Sequence, residues 1–132
     1  MFYILEAILV GFYTVIIYLI LKQFIGKFYL ILLIVGFLKH FLSGILGIHD
    51  IYCNYGDTCK SLSHNKYISN KKNLIRDSII ESLLFLILGF VLSDIIKKNR
   101  IILFFIIGFI LHIVFEKLTL HKYYCQNICV VK

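Results

Sequence analysis

The stretch GFLKHFLSGILGIHDIYC, residues 36–53, decides how the chain is read, because it returns as GFILHIVFEKLTLHKYYC at residues 108–125. At an offset of 72 residues, Gly36 falls on Gly108, Phe37 on Phe109, His40 on His112, His49 on His121, Tyr52 on Tyr124 and Cys53 on Cys125. Exchanges of Ile for Leu carry little weight in so biased a sequence. The pattern G-F-x2-H-x8-H-x2-Y-C held in register carries more, since Gly, His and Cys are scarce here. One further cysteine follows each copy, Cys59 or Cys129, two residues nearer in the second. Upstream, Glu6-Ala7 can be laid on Glu81-Ser82 only at a different offset, and that match is given no weight.

Each copy straddles the end of a long apolar segment, and another apolar segment precedes it. A helix needs roughly 20 mainly apolar residues to span the hydrocarbon, because its backbone hydrogen bonds must close within the segment. Residues 4–21, 28–48, 74 or 79 to 96, and 101–120 meet that need. The third has its charge-free part only over 82–93, so it relies on tilt or on snorkelling at Glu81 and Asp94. Tight basic links at 22–27 and 97–100 make two helical hairpins. The first segment lacks a basic leader and a small-residue cleavage site, so it reads as a retained helix.

The expectation is therefore an all-α membrane protein, with four transmembrane helices arranged as two tandem parallel two-helix repeats. Residues 1–132 form a single membrane domain: repeat 1 over 1–59, a polar loop over 60–73, and repeat 2 over 74–132. An even number of spans per repeat gives both copies the same orientation, related by an axis along the membrane normal. Both cysteine pairs then share one side and the tight basic links the other.

Composition agrees with this address. The chain of 132 residues is 61% hydrophobic and 16% charged, has no Pro and no Trp, and has a mean hydropathy of +0.92. The formal net charge of +7 comes from lysines and arginines beside the apolar spans. Juxtamembrane bases facing anionic headgroups account for it, and no groove-entering motif points to nucleic acid.

Cysteine number and placement come next. Cys53, Cys59, Cys125 and Cys129 lie just past helix ends as Cys53-x5-Cys59 and Cys125-x3-Cys129, which favours two short-range disulfides over four free thiols. Such small loops gain little entropy and would mainly pin the chain at the membrane edge. A metal reading competes. If helices two and four continue past the bilayer, His49 with Cys53 and His121 with Cys125 each share a helical face and could meet as a Cys2His2 zinc shell. The C-x2-C of established zinc modules is missing.

His40 and His112 lie inside spans, where a histidine turns towards another helix or a wet cavity. An interhelical hydrogen bond beside close-packed glycines is the plain expectation. Bis-histidine haem ligation by the same pair is the alternative. Glu6, Lys39, Glu81, Glu116 and Lys117 join them in the cysteine-side half, while the other half is almost purely apolar. Either the helices protrude on that side or a polar cavity opens there, and a continuous ion path through one copy is disfavoured.

The segment GFLKHFLSGILGIHDIYCNYGDTC, residues 36–59, is similar to small multi-pass membrane proteins of unknown function encoded by large nucleocytoplasmic DNA viruses. The resemblance rests on Gly36, His40, Tyr52, Cys53 and Cys59, with Tyr55-Gly56 in the turn, and covers about a fifth of the chain. The second copy lacks the turn. The resemblance implies a viral or A/T-rich origin and a membrane location, without an activity.

Three functional classes follow. The first is a structural or interaction protein of a cellular or virion membrane, with the lipid bilayer, further copies of itself or other membrane proteins as partners, and with no cofactor. No nucleophile–base pair, phosphate loop or carboxylate pair marks an enzyme. The second is a membrane thiol-disulfide oxidoreductase, broadly like the four-helix quinone-linked enzymes, although the reactive C-x2-C is absent. The third is a haem or zinc protein. Sidedness is contested: the loop and tail bases favour a cytosolic cysteine side by count, the tight links favour the reverse by density, and disulfides place the cysteines outside. The extracytosolic cysteine face is adopted as the expectation.

Overall fold

The computed structural model describes residues 2–55 and 67–131. Four long helices form the bundle: α1 (Phe2–Leu21), α2 (Phe28–Ile45), α4 (Leu74–Ile95) and α5 (Arg100–Lys117). Two short helices follow the second and fourth of these, α3 (Ile48–Tyr55) and α6 (Leu120–Asn127). A small antiparallel ribbon pairs β1 (Tyr67–Ser69) with β2 (Cys129–Val131), Ser69 opposite Cys129. The architecture is thus helical, apart from this ribbon. Three helices (α1, α2 and α4) are long and apolar enough to cross a membrane; α5 becomes a fourth if it is counted with α6, from which it is bent by 73°.

The second and fourth spans stop earlier than the expected 48 and 120. Both stop in the same way. Gly47 (φ +78°) and Thr119 (φ 59°), the positive-φ residues among those described, occupy the same place in the two motif copies. A left-handed residue ends a helix because the next N–H can no longer reach back four residues in line. Gly47 takes this conformation freely, whereas the β-branched Thr119 is crowded by its own Cβ. His49 with Cys53 and His121 with Cys125 therefore lie on short helices of their own, α3 and α6, each set off from its span by a break.

Hairpin connectivity is as expected, but the principal packing runs between hairpins. The extensive interfaces are α1 with α5 and α2 with α4; the contacts within each hairpin are slighter. Small residues explain the choice, since helices in lipid associate where their backbones approach closely. A Cβ at Gly36 of α2 would lie 2.8 Å from the Cα of Ser82 on α4, and the Ser82 hydroxyl donates to the Leu33 carbonyl at 2.6 Å. Gly108 of α5 faces Thr14 of α1 in a comparable way, although there a side chain rather than backbone would have to move. Between these contacts the core is apolar. Leu32, Val35, Phe85, Leu103, Phe104 and Ile107 are buried, and Tyr18 stacks on Phe104 with ring centroids 4.2 Å apart.

Outward-facing side chains such as Leu9, Phe12, Ile16 and Ile20 of α1 form an exposed apolar stripe of the kind that lipid solvates. Hydroxyls inside the helices close on their own backbone, Thr14 on the Val10 carbonyl at 2.7 Å and Ser78 on the Leu74 carbonyl at 2.7 Å. At the cysteine-side end, Cys53 of α3 is bonded to Cys129 of β2, with Cα atoms 5.6 Å apart.

Thr119→Gly is expected to stabilise the protein by about 1 kcal/mol, the approximate cost of left-handed geometry for an L-residue. Gly47→Ala should destabilise it by a similar amount. Thermal unfolding in detergent micelles, followed by circular dichroism, measures both; opposite signs at these two positions are the expected result.

Candidate functional site

A chamber of about 590 Å³ opens at the cysteine-side end of the bundle, lined by residues of all six helices. Four of the polar residues of that half, Lys39, His40, Glu81 and His112, line this cavity. Its wall is mainly apolar, with Leu9, Val10, Ile48, Ile80 and Phe115 among its residues. Set into it are four histidines, two from each motif copy.

In the first copy, His40 of α2 and His49 of α3 stand with ring centroids 4.7 Å apart. His40 Nδ1 donates to Oε2 of Glu81 on α4 at 2.8 Å, and Lys39 Nζ forms an ion pair with Oε1 of the same carboxylate. Glu81 is 4% exposed, so this carboxylate is met by two cationic or donor groups from the neighbouring helix. Lys39 also crosses the Phe85 ring at 5.8 Å. A buried charge is tolerable only when paired and hydrogen-bonded in this way.

In the second copy, His112 of α5 and His121 of α6 stand 4.5 Å apart. His112 Nε2 contacts Oε2 of Glu6 on α1 at 3.3 Å, and His121 Nδ1 contacts Oε2 of Glu116 at 2.5 Å. Glu6 thus stands to His112 as Glu81 stands to His40, each carboxylate coming from the first helix of the opposite hairpin. Tyr52 of α3 bridges the copies, its ring centroid 5.4 Å from that of His121 and 6.4 Å from that of His112.

His49 lies outside the spans and is held neutral. Burial pushes its pKa down from 6.5 to about 4, helped by the neighbouring positive potential of His40 and Lys39 and opposed by Glu81 and Asp50. Protonation of His49 therefore favours the unfolded chain. Its penalty is absent above about pH 6.5, grows as pH falls, and levels off below about 4.

The cysteines depart from the expected pattern. Cys53 pairs with Cys129 across a sequence separation of 76, in place of a local bond to Cys59. Cys125 is disulfide-bonded as well, and Cys129 is not its partner. Cys59 lies outside the described residues. The reason for the departure is the break at Gly47 and Thr119, which turns both short helices over the same end of the bundle and gathers Cys53, Cys125, Cys129 and Tyr52 into one buried cluster. With Cys53 and Cys125 oxidised, the thiolates of the His49, Cys53, His121, Cys125 zinc shell are not available. Among the described residues no group of three or more His, Cys, Asp or Glu is arranged to hold a metal ion. His40 and His112 each make an interhelical contact to a carboxylate, and both line the chamber.

Sequence reasoning placed Glu6 and Glu81 in the cysteine-side half without pairing them with His112 and His40. A signal existed: Glu6-Ala7 and Glu81-Ser82 match at an offset of 75, three residues from the motif offset of 72. The chain matches no protein-family model, no curated protein and no solved structure.

Two outcomes are expected. Glu81→Gln, which leaves Lys39 without its counter-charge, should cost about 3 kcal/mol, and Lys39→Met in the same chain should recover part of that loss. A thermal double-mutant cycle in micelles measures the coupling. Separately, the stability difference between the parent protein and His49→Phe should be flat above pH 6.5 and shift against the parent as pH falls towards 4. A pH-independent difference would show that His49 titrates like an exposed imidazole.

Proposed function

We propose that this chain is a non-catalytic, multi-pass protein of a cellular or virion membrane, built by duplication of one hairpin-plus-short-helix unit. Its disulfide-clamped face looks into an oxidising, extracytosolic compartment. The observation that carries this reading is the Cys53–Cys129 bond, which joins the two motif copies over a separation of 76 residues. For a fully unfolded chain, closing a loop of that size is worth roughly 4 kcal/mol, about twice the value for the local pairing. A bond of this kind is at home where thiols are oxidised.

Several features support the duplication. The unit helix–helix–short helix occurs twice in order, its left-handed break falls at equivalent residues, and each copy contributes a pair of histidines in tilted ring contact. Exchange of the copies by a twofold axis turns the α1–α5 interface into the α4–α2 interface, the two that dominate the packing. The same operation applied to Cys53–Cys129 gives Cys125–Cys59 as the reciprocal bond, with Cys125 already known to be bonded.

The oxidoreductase reading fares less well. Cys53 is 2% exposed and Cys129 is 8% exposed, whereas an exchanging cysteine needs access and an electropositive edge. The apolar exterior suits lipid, further copies of the chain or other membrane helices as neighbours.

The test is side-specific labelling with a bulky maleimide in intact and permeabilised cells, with and without reductant, followed by non-reducing peptide mapping. Labelling that requires reductant and then occurs from outside is expected, with Cys53–Cys129 and Cys59–Cys125 peptides recovered. Labelling of all four cysteines without reductant, and only after permeabilisation, would remove both the clamp and the sidedness.

A further inference from the structure

The chamber has the size of a small-molecule site, since ligand pockets run from about 300 to 1,000 Å³ and combine an apolar wall with a few placed polar groups. Its charges restrict what can enter. The two cations on the wall are already committed, Lys39 to Glu81 and Arg76 to Asp77, the latter through Nη2 at 3.0 Å. A ligand carrying carboxylates or phosphates, haem with its two propionates included, would meet no uncommitted cation among the described wall residues. The occupant the wall fits is neutral.

The histidines set its hydrogen bonding. A carboxylate oxygen can only accept, so Nδ1 of His40 against Glu81 and Nδ1 of His121 against Glu116 carry the protons. In the neutral ring that leaves Nε2 of each as an acceptor, one from each motif copy and both on residues that line the chamber. Acceptors of this kind call for a ligand that donates. Tyr13 adds a second clue. Its hydroxyl is buried on the chamber wall with Ser43 as its near neighbour, but the Ser43 Oγ donates to the Lys39 carbonyl at 2.6 Å, so the Ser43 proton is not offered to Tyr13. A buried hydroxyl left so asks for a partner.

Aromatic side chains complete the wall: Tyr13, Tyr52, Phe115 and Tyr123. They favour a flat aromatic body over an acyl chain. We propose that the chamber is a binding site for a neutral, membrane-soluble hydroquinone, whose two ring hydroxyls donate to Nε2 of His40 and of His121 and whose ring lies among the tyrosines. The site is independent of whether the clamped face is extracytosolic.

The experiment uses the full-length, oxidised protein in non-ionic micelles under argon, with 2-decylhydroquinone as the probe and its dimethyl ether, 2-decyl-1,4-dimethoxybenzene, as a control of similar shape that cannot donate. Calorimetry should show the hydroquinone binding at least tenfold more tightly than the ether, and His40→Leu and His121→Leu should each abolish a large part of that difference. Histidine ¹⁵N spectra of the unaltered protein give a second readout that does not depend on a variant folding. The Nε2 resonances of His40 and His121 should move with the hydroquinone and stay in place with the ether. Equal affinity for hydroquinone and ether, or Nε2 resonances unmoved at saturating hydroquinone, would overturn the proposal.

Discussion

Glu81 is a carboxylate inside a helix of hydrocarbon-spanning length, and the cysteine-side end of the bundle is organised by how its charge is met. Lys39 and His40 reach it from α2, which fixes the rotation of α2 against α4 and brings Gly36 onto the Ser82 backbone below. That contact in turn leaves α1 to pack on α5, where Glu6 and His112 meet in the same manner. In lipid, apolar surfaces gain little by touching one another, so the few polar contacts and the few small residues decide which faces pair. The interhairpin arrangement follows from that economy: the partners of His40 and His112 lie on the other hairpin.

The two halves are alike in plan and unlike in charge. Where the first copy has Lys39, the second has Leu111; where the first has Gly44, the second has Glu116. One copy therefore meets its interhelical carboxylate with a full cation plus an imidazole. The other uses imidazoles against two carboxylates, one across the helix interface and one local. The two motif copies thus place different charges at matching positions, and the chamber wall is electrically uneven.

Much of this was legible in the residues. The spans show through hydropathy, and the recurring His, Tyr and Cys mark the two halves. The break at Gly47 has a chemical signature, but that at Thr119 has none, because a threonine does not announce a left-handed residue. Disulfide partners were legible only to the extent that the cysteines are even in number. Pairing depends on where the breaks aim the short helices, and proximity in sequence was the wrong guide. The shared role of Glu6 and Glu81 escaped because strict register was the criterion. A slip of three residues along a helix turns a side chain by only about 60° and moves it one turn, so the contact survives where the alignment fails.

The bond between Cys53 and Cys129 also keeps a record of how the chain was threaded. Between the two residues the polypeptide runs through α4 and α5, out across the bundle and back. Where α4 and α5 each cross a bilayer, a chain that misses one crossing but not the other leaves the two thiols on opposite sides, unable to meet. Closure of the clamp therefore reports parity: it is open to chains whose second hairpin crosses as a pair and denied to those left half inserted. A half-inserted copy keeps a free thiol, a chemical label by which a simple alkylation assay can tell it from a finished one.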